Sequence, residues 1–261
     1  MKLVQDTIDW HLPIAHETIH TRQFLRGGRT FIDVGAHVGT WTLRLAPHFE
    51  RVFCFEPDPR GYNALRKNIQ LAGLTNVEVI PKAVADKAGH ATLSLYPNPC
   101  TNTLMDPALV GRTHSTDVPD GTMRVETVSI DDFCAERGIT DLDFIKIDAE
   151  AAELLVVMGA LGTLQAQRPD FFIEMHAFIL EPLRKLLDFA ETDFIDGNSF
   201  GMSLVRHRER HEWAPYAAAG AAIYPHGSAP EGSELEAIKA RQALVGDALD
   251  VENFRRVKAC G

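Results

Sequence analysis

The sequence lacks the features that would direct it to a bilayer, to nucleic acid or to the cell exterior. No apolar run approaches the length needed to span a membrane. The stretch Met1-Lys2-Leu3-Val4-Gln5-Asp6 has none of the apolar core of a secretion signal. Basic residues are in the minority, 26 Lys and Arg against 36 Asp and Glu, for a formal charge of −10. No basic block stands out, and nucleic-acid affinity rests on neutralising phosphates, so that partner is not expected. The four cysteines, Cys54, Cys100, Cys134 and Cys260, contain no C-x-x-C pair. Cys54 lies in an apolar strand pattern, and buried free thiols are the simplest reading. No internal repeat is apparent. The expectation is a cytoplasmic protein with no membrane partner: one α/β domain with elaborations, long enough to bury a sizeable core.

Residues 1–29 read as a helical and irregular segment, with Trp10, Pro13 and the histidines His11, His16 and His20 ahead of Gly27-Gly28. From Thr30 onward strand and helix patterns alternate, which argues for a mostly parallel sheet covered on both faces. The main domain is expected over 30–210. Asp58 is placed to cap a helix with Pro59 at its first position, Leu65 and Ile69 on one face and Gly73 at its end. Val77–Ile80 reads as the third strand. Ala91–Tyr96 and Arg124–Ile130 alternate like half-exposed strands, and the Pro-, Asn- and Thr-rich stretch at 97–122 between them reads as a lid-like insertion. Asp131 is expected to cap a short helix ending near Gly138. A strand over Leu142–Ile147 ends at Asp148, with a helix beginning near Glu150, and Phe171–Met175 leads to His176. Residues 211–261 form an extension with a helix-like run at Ser233–Val245, where Leu235, Ile238 and Val245 share a face. That extension is a possible route to a homo-oligomer.

The densest chemical signal is Phe31-Ile32-Asp33-Val34-Gly35-Ala36-His37-Val38-Gly39-Thr40, a strand running into a glycine turn. About twenty residues later Val52-Phe53-Cys54-Phe55 ends on Glu56-Pro57. Such a unit suits the grip of an adenosine moiety. The spacing is not the G-x-G-x-x-G that brings backbone against a pyrophosphate, which disfavours a nicotinamide oxidoreductase. An acid before the turn would attract the ammonium of an amino-acid tail, which points to S-adenosylmethionine. Asp33 could equally brace the turn. Gly35 and Gly39 allow close approach of the backbone, and His37 reads as a turn residue that accepts left-handed geometry. Glu56 can accept hydrogen bonds from both ribose hydroxyls.

In open α/β sheets ligands bind beyond the carboxyl ends of the strands, where strand order reverses. Asp33–Gly39, Glu56, Asp148 and His176 all fall at strand ends. The cofactor contacts expected are Asp33, Gly35, Ala36, His37, Gly39, Glu56, Pro57, Ala83, Asp148 and Glu150. In Lys146-Ile147-Asp148-Ala149-Glu150-Ala151-Ala152-Glu153, Asp148 reads as an active-site acid and Glu153 as a charge favouring a helix N-terminus. His176 could act as a general base, since imidazole titrates near neutrality. The stretch Arg206–His211 reads as a solvated charged run. Asp148 and Glu174 could serve a metal, yet no ligand set is evident from spacing, and none is expected.

With these segments in view, the chain resembles the FkbM family of S-adenosylmethionine-dependent methyltransferases. The matching elements are Phe31–Gly39, Phe55-Glu56-Pro57 and Phe144–Glu153. The last resembles the family's K-I-D-V-E-G-A-E, with Ala149 and Ala151 where Val and Gly are usual. The added methyl of Ala151 is expected to narrow the pocket. The stretch Trp10, Pro13, Glu17, His20 also looks like a segment preceding the domain in some members. The resemblance covers roughly residues 30–190, and nothing beyond about 210 takes part in it. It implies a class I, Rossmann-like methyltransferase with a seven-stranded, mostly parallel sheet. It further implies O-methylation of a hydroxyl on a sugar or other small natural-product-type acceptor, with Asp148 or His176 as the base. A nucleic-acid amino-methyltransferase would want an Asn/Asp-Pro-Pro-aromatic motif where Asp148-Ala149-Glu150-Ala151 stands. A non-catalytic protein that binds S-adenosylmethionine is the remaining alternative.

Overall fold

The computed structural model describes residues 27–106, 118–176, 192–194 and 200–207. The expectations for residues 1–26, for the middle of the insertion at 107–117 and for 211–261, including Ser233–Val245, lie outside them. The elements are β1 (Gly28–Val34), α1 (Thr42–Leu45), β2 (Phe49–Phe55), α2 (Pro59–Ala72), β3 (Val77–Ile80), β4 (Ala83–Val84), β5 (Gly89–Leu95) and β6 (Gly121–Val128), then α3 (Ile130–Arg137), β7 (Leu142–Ile147), α4 (Glu153–Met158), α5 (Leu161–Gln167), β8 (Asp170–His176), β9 (Thr192–Phe194) and β10 (Phe200–His207).

The main sheet runs β3-β2-β1-β7-β8-β10-β9. Its first five strands are parallel, and β10 lies antiparallel to both β8 and β9. Strand order reverses between β1 and β7, so the ligand crevice belongs beyond Val34 and Ile147. The central strands read as continuous apolar runs because both of their faces are covered. Alternation then divides the core in two. Ile32, Val34, Phe53, Phe55, Ile145 and Ile147 pack on one face, while Phe31, Val52, Cys54 and Phe144 pack on the other. Phe133 of α3 sets its ring edge against Phe53 and Phe55, with centroids 5.2 and 5.0 Å apart. On the opposite face Trp41 meets Phe172 at 4.8 Å.

The half-exposed strands pair with each other and stay outside the main sheet. β5 and β6 are antiparallel, and β4 joins β6 to make a three-stranded sheet. The helix over Pro59–Ala72 forms as its caps predict. The Asp58 carboxylate accepts from the Arg60 amide at 2.8 Å, and Gly73 closes the helix at φ 68°.

Two local expectations are corrected. Ser129, not Asp131, caps α3, accepting from the Asp132 amide at 3.0 Å with extended backbone angles. Asp131 sits in the first turn, and its carboxylate reaches across to the Gly162 and Thr163 amides at 3.0 and 2.7 Å. It thus caps α5, a neighbouring helix. The helix expected near Glu150 begins at Glu153. Glu150 and Ala151 instead take left-handed backbone, φ 50° and 76°. The cause is Glu153, whose Oε1 folds back to accept from the Ala149 and Ala151 amides at 2.8 and 3.2 Å. A carboxylate expected only to favour a helix end therefore braces the turn before it.

Candidate cofactor and active site

The glycine turn after β1 is bound to the end of β2: the Gly35 and Ala36 amides both donate to the Phe55 carbonyl, at 3.1 and 3.0 Å. Gly35, at φ 70°, must be glycine, because a Cβ there would be driven into the Asp148 carbonyl oxygen. Gly39, at φ 92°, leaves room for Leu65. His37 takes the left-handed conformation expected of it, φ 48°. Its amide donates to Glu56 Oε2 at 2.8 Å, while the Asp58 amide donates to Glu56 Oε1 at 2.8 Å. The Glu56 carboxylate is thereby fixed in place, with each oxygen retaining acceptor capacity. Burial raises its pKa to about 7, against the opposing pull of those amide donors.

Below the turn lies a knot of charge. Asp33 is fully buried, and its Oδ2 accepts from Thr42 Oγ1 at 2.6 Å. Lys146 reaches it from β7, with Nζ 3.4 Å from Asp33 Oδ1 and 3.3 Å from Asp148 Oδ2. The same ammonium donates to the Val34 and Gly35 carbonyls at 3.2 and 2.7 Å. Only 2% of the Lys146 side chain is exposed. Burial opposes its charge, but the Asp148 and Asp33 carboxylates prevail and hold its pKa above the ordinary lysine range. Asp33 thus fills the bracing role, its carboxylate turned toward Thr42 and Lys146.

Asp148 faces a crowd of acids. Carboxylate oxygens of Asp148, Glu150 and Glu174 lie within 4.8 Å of one another, and Asp148 shares a side-chain hydrogen bond with Glu174. Burial raises the Asp148 pKa to about 6; Lys146 pulls it down, while Glu174 pushes it up. Glu150 is raised well above the usual carboxylate range by burial and by the Glu174 and Asp148 charges. Among the described residues, one cation against this many carboxylates suits a positively charged ligand, a shared proton or a divalent cation. Asp148 and Glu174 are the pair named above as able to serve a metal; Glu150 completes a set that spacing alone did not reveal, since Glu174 comes from β8.

The structure therefore brings Gly35, Ala36, His37, Gly39, Glu56, Pro57, Asp148 and Glu150 to one edge of the sheet, with Asp33 beneath. His176 ends β8, in register with Phe200 of β10. Ala83 is the exception: it packs in the small sheet's core with Leu93 and Val125. Ala151 does not narrow a pocket, because it is fully buried in the main core. Lys146 was missed as a site residue. The available signal was a lysine inside Phe144-Ile145-Lys146-Ile147, since a charge in a strand buried on both faces must be paired.

Residues 33–196 match the family model described as the methyltransferase FkbM domain. Among curated proteins the chain is 29% identical to the 2-O-methyltransferase NoeI of Sinorhizobium fredii, over 60% of this chain and 69% of that protein. It is 32% identical to the 31-O-demethyl-FK506 methyltransferase FkbM of Streptomyces tacrolimicus, over 52% of this chain and 60% of the other. It is 28% identical to the hexuronic acid methyltransferase AglP of Haloferax volcanii, over 56% and 55%. The chain thus spans between 55% and 69% of the length of these relatives. Among solved structures, the methyltransferase FkbM of Methylobacillus flagellatus aligns at 18% identity and a TM-score of 0.48, over 70% of this chain and 44% of that one. Among the described residues no helix is long and apolar enough to cross a membrane.

Proposed function

The chain belongs to the FkbM methyltransferase domain family, and from that premise we propose that it transfers a methyl group from S-adenosylmethionine to a hydroxyl on a sugar or other small natural-product-type acceptor. The fold class follows the same reading, a class I methyltransferase sheet with its crevice at the β1/β7 switch point. The curated relatives support the acceptor class: their names specify a 2-O-methylation, a 31-O position and a hexuronic acid.

The observation that carries the reading is the meeting of two kinds of carboxylate at one crevice. Glu56, fixed by two backbone amides, has the acceptor capacity to take the hydroxyls of a ribose. Asp148, Glu150 and Glu174 supply an acidic wall that fits a sulfonium and an ammonium. When bound, S-adenosylmethionine supplies an electrophilic methyl on positively charged sulfur. The chain's part is to hold the acceptor oxygen in line, a matter of alignment, and to receive its proton. With a pKa of about 6, Asp148 is a stronger base than an ordinary aspartate yet ionised at neutral pH. Asp148 would take up the hydroxyl proton as the acceptor oxygen is methylated, and the cofactor, keeping the carbon–sulfur bonding pair, would leave as its neutral thioether. His176, at the end of the adjacent strand, is the second candidate for this role.

Calorimetry with S-adenosylmethionine, its demethylated thioether product and NAD tests the cofactor. Binding of both sulfur ligands and not NAD is expected; tight NAD binding with neither sulfur ligand would sink the reading. Glu56→Ala is expected to weaken cofactor binding by about 1.5–3 kcal/mol, the worth of a hydrogen bond to a charged group. Unchanged affinity would remove Glu56 from the ribose.

A further inference from the structure

The chain that leaves β5 folds back on itself at the start of the insertion. It turns through residues 99–101 and returns, so that Thr103 pairs with Ser94 through two backbone hydrogen bonds of 2.8 and 3.2 Å. Asn98 accepts from the Cys100 amide at 3.2 Å, and Met105 then enters the main core. At the turn's far side stands Asn102. Its Oδ1 accepts from the Tyr96 amide at 2.9 Å, which closes the loop on itself. Its Nδ2 donates to Asp58 Oδ2 at 2.8 Å, which fastens the loop to the cap of α2. Two residues earlier, Cys100 Sγ lies 3.6 Å from His37 Nε2, in the middle of the glycine turn.

The two residues this loop grips, His37 and Asp58, are the same two whose amides hold the Glu56 carboxylate. We propose that residues 96–105 are a clasp over the cofactor crevice and that Asn102 is a positioning residue, holding the segments that aim Glu56. The proposal rests on the cofactor reading above. Burial, with the Glu150, Asp148 and Glu56 charges, pushes the Cys100 thiol up to about 12. Cys100 accordingly lies where it can feel both ends of the crevice.

The test uses the full chain with the thioether product as probe and iodoacetamide labelling of Cys100 followed by peptide mass spectrometry. Cys54 and Cys134, both buried, serve as internal references. Asn102→Ala removes both contacts. Asn102→Asp keeps the volume and the acceptor for Tyr96 but sets a second carboxylate against Asp58, so like-charge repulsion opens the clasp at that contact even if the alanine variant folds poorly. The expected result in both variants is a loss of thioether affinity of about tenfold or more and faster Cys100 labelling without ligand. Saturating thioether should protect Cys100 in the wild type and fail to protect it in both variants, a change that a merely structural asparagine would not produce. Normal wild-type binding with affinity and labelling unaltered in both variants would overturn the clasp alone. A wild type that binds neither sulfur ligand would overturn the cofactor reading and, with it, this role.

Discussion

Glu56 and Asp148 end two strands that flank β1, and burial raises both above the ordinary carboxylate range, yet their surroundings differ. Glu56 is surrounded by donors: two backbone amides fix its oxygens, and Gly61 leaves it room. Asp148 is surrounded by acids, with Lys146 as the single cation against it among the described residues. The first arrangement makes a rigid acceptor that reads shape. The second makes a charge-sensitive site, whose state changes when a cation arrives or a proton leaves. In the proposed methyl transfer the first would hold the nucleoside and the second would answer for charge.

Removing Lys146 should break the comparison on the acidic side. Lys146→Met strips Asp33 of its only ion pair among the described residues, in a place with no solvent access. Breaking a buried pair by removing one partner costs about 3–5 kcal/mol. Urea unfolding should register that loss, and the glycine turn should loosen with it, since Val34 and Gly35 lose their ammonium donor. A loss below about 1 kcal/mol, the worth of a surface pair, would show that the knot is not a buried charge system.

Acidity then separates the two carboxylates. Folded-state values of about 6 for Asp148 and about 7 for Glu56 lie above the usual 3.8 and 4.5. The folded chain therefore holds more protons than the unfolded one between roughly pH 4 and 7. The stability these groups contribute is complete below about pH 4 and is lost as pH rises through 6 and 7. Affinity for a cationic cofactor should move oppositely, rising as the same groups ionise. Melting curves across this range should show Asp148→Asn flattening the lower part of the decline and Glu56→Gln the upper. Identical profiles for both variants would mean that the two sites titrate as one.

How much of this was legible beforehand depended on distance along the chain. The cap at Asp58, the stop at Gly73 and the turn at Gly35–Gly39 are local devices, and each stands where its residues predict. Glu56 was legible because the strand–turn–helix–strand unit fixes its place by connectivity. The clasp, the Lys146 knot and the Glu174 contact join residues from separate elements, and residue type alone does not say which strand ends meet. Asp131 failed for a related reason: a residue suited to capping was assigned to its own helix, while the fold delivers its carboxylate to the next.

The smallest expected effect concerns Ala151, where the family's pattern has glycine. Its φ of 76° is a conformation a side chain pays for, about 1 kcal/mol or somewhat more. Its methyl is fully buried in the main core, a gain of about 0.8 kcal/mol. The two nearly cancel, which explains how alanine is tolerated where Glu153 forces a left-handed turn. Ala151→Gly should thus shift stability by less than about 1 kcal/mol and leave thioether affinity unchanged, because the methyl faces the core. Calorimetry showing a clear gain in affinity would place that methyl against the cofactor instead, and the acidic side would then be shaped by packing as well as by charge.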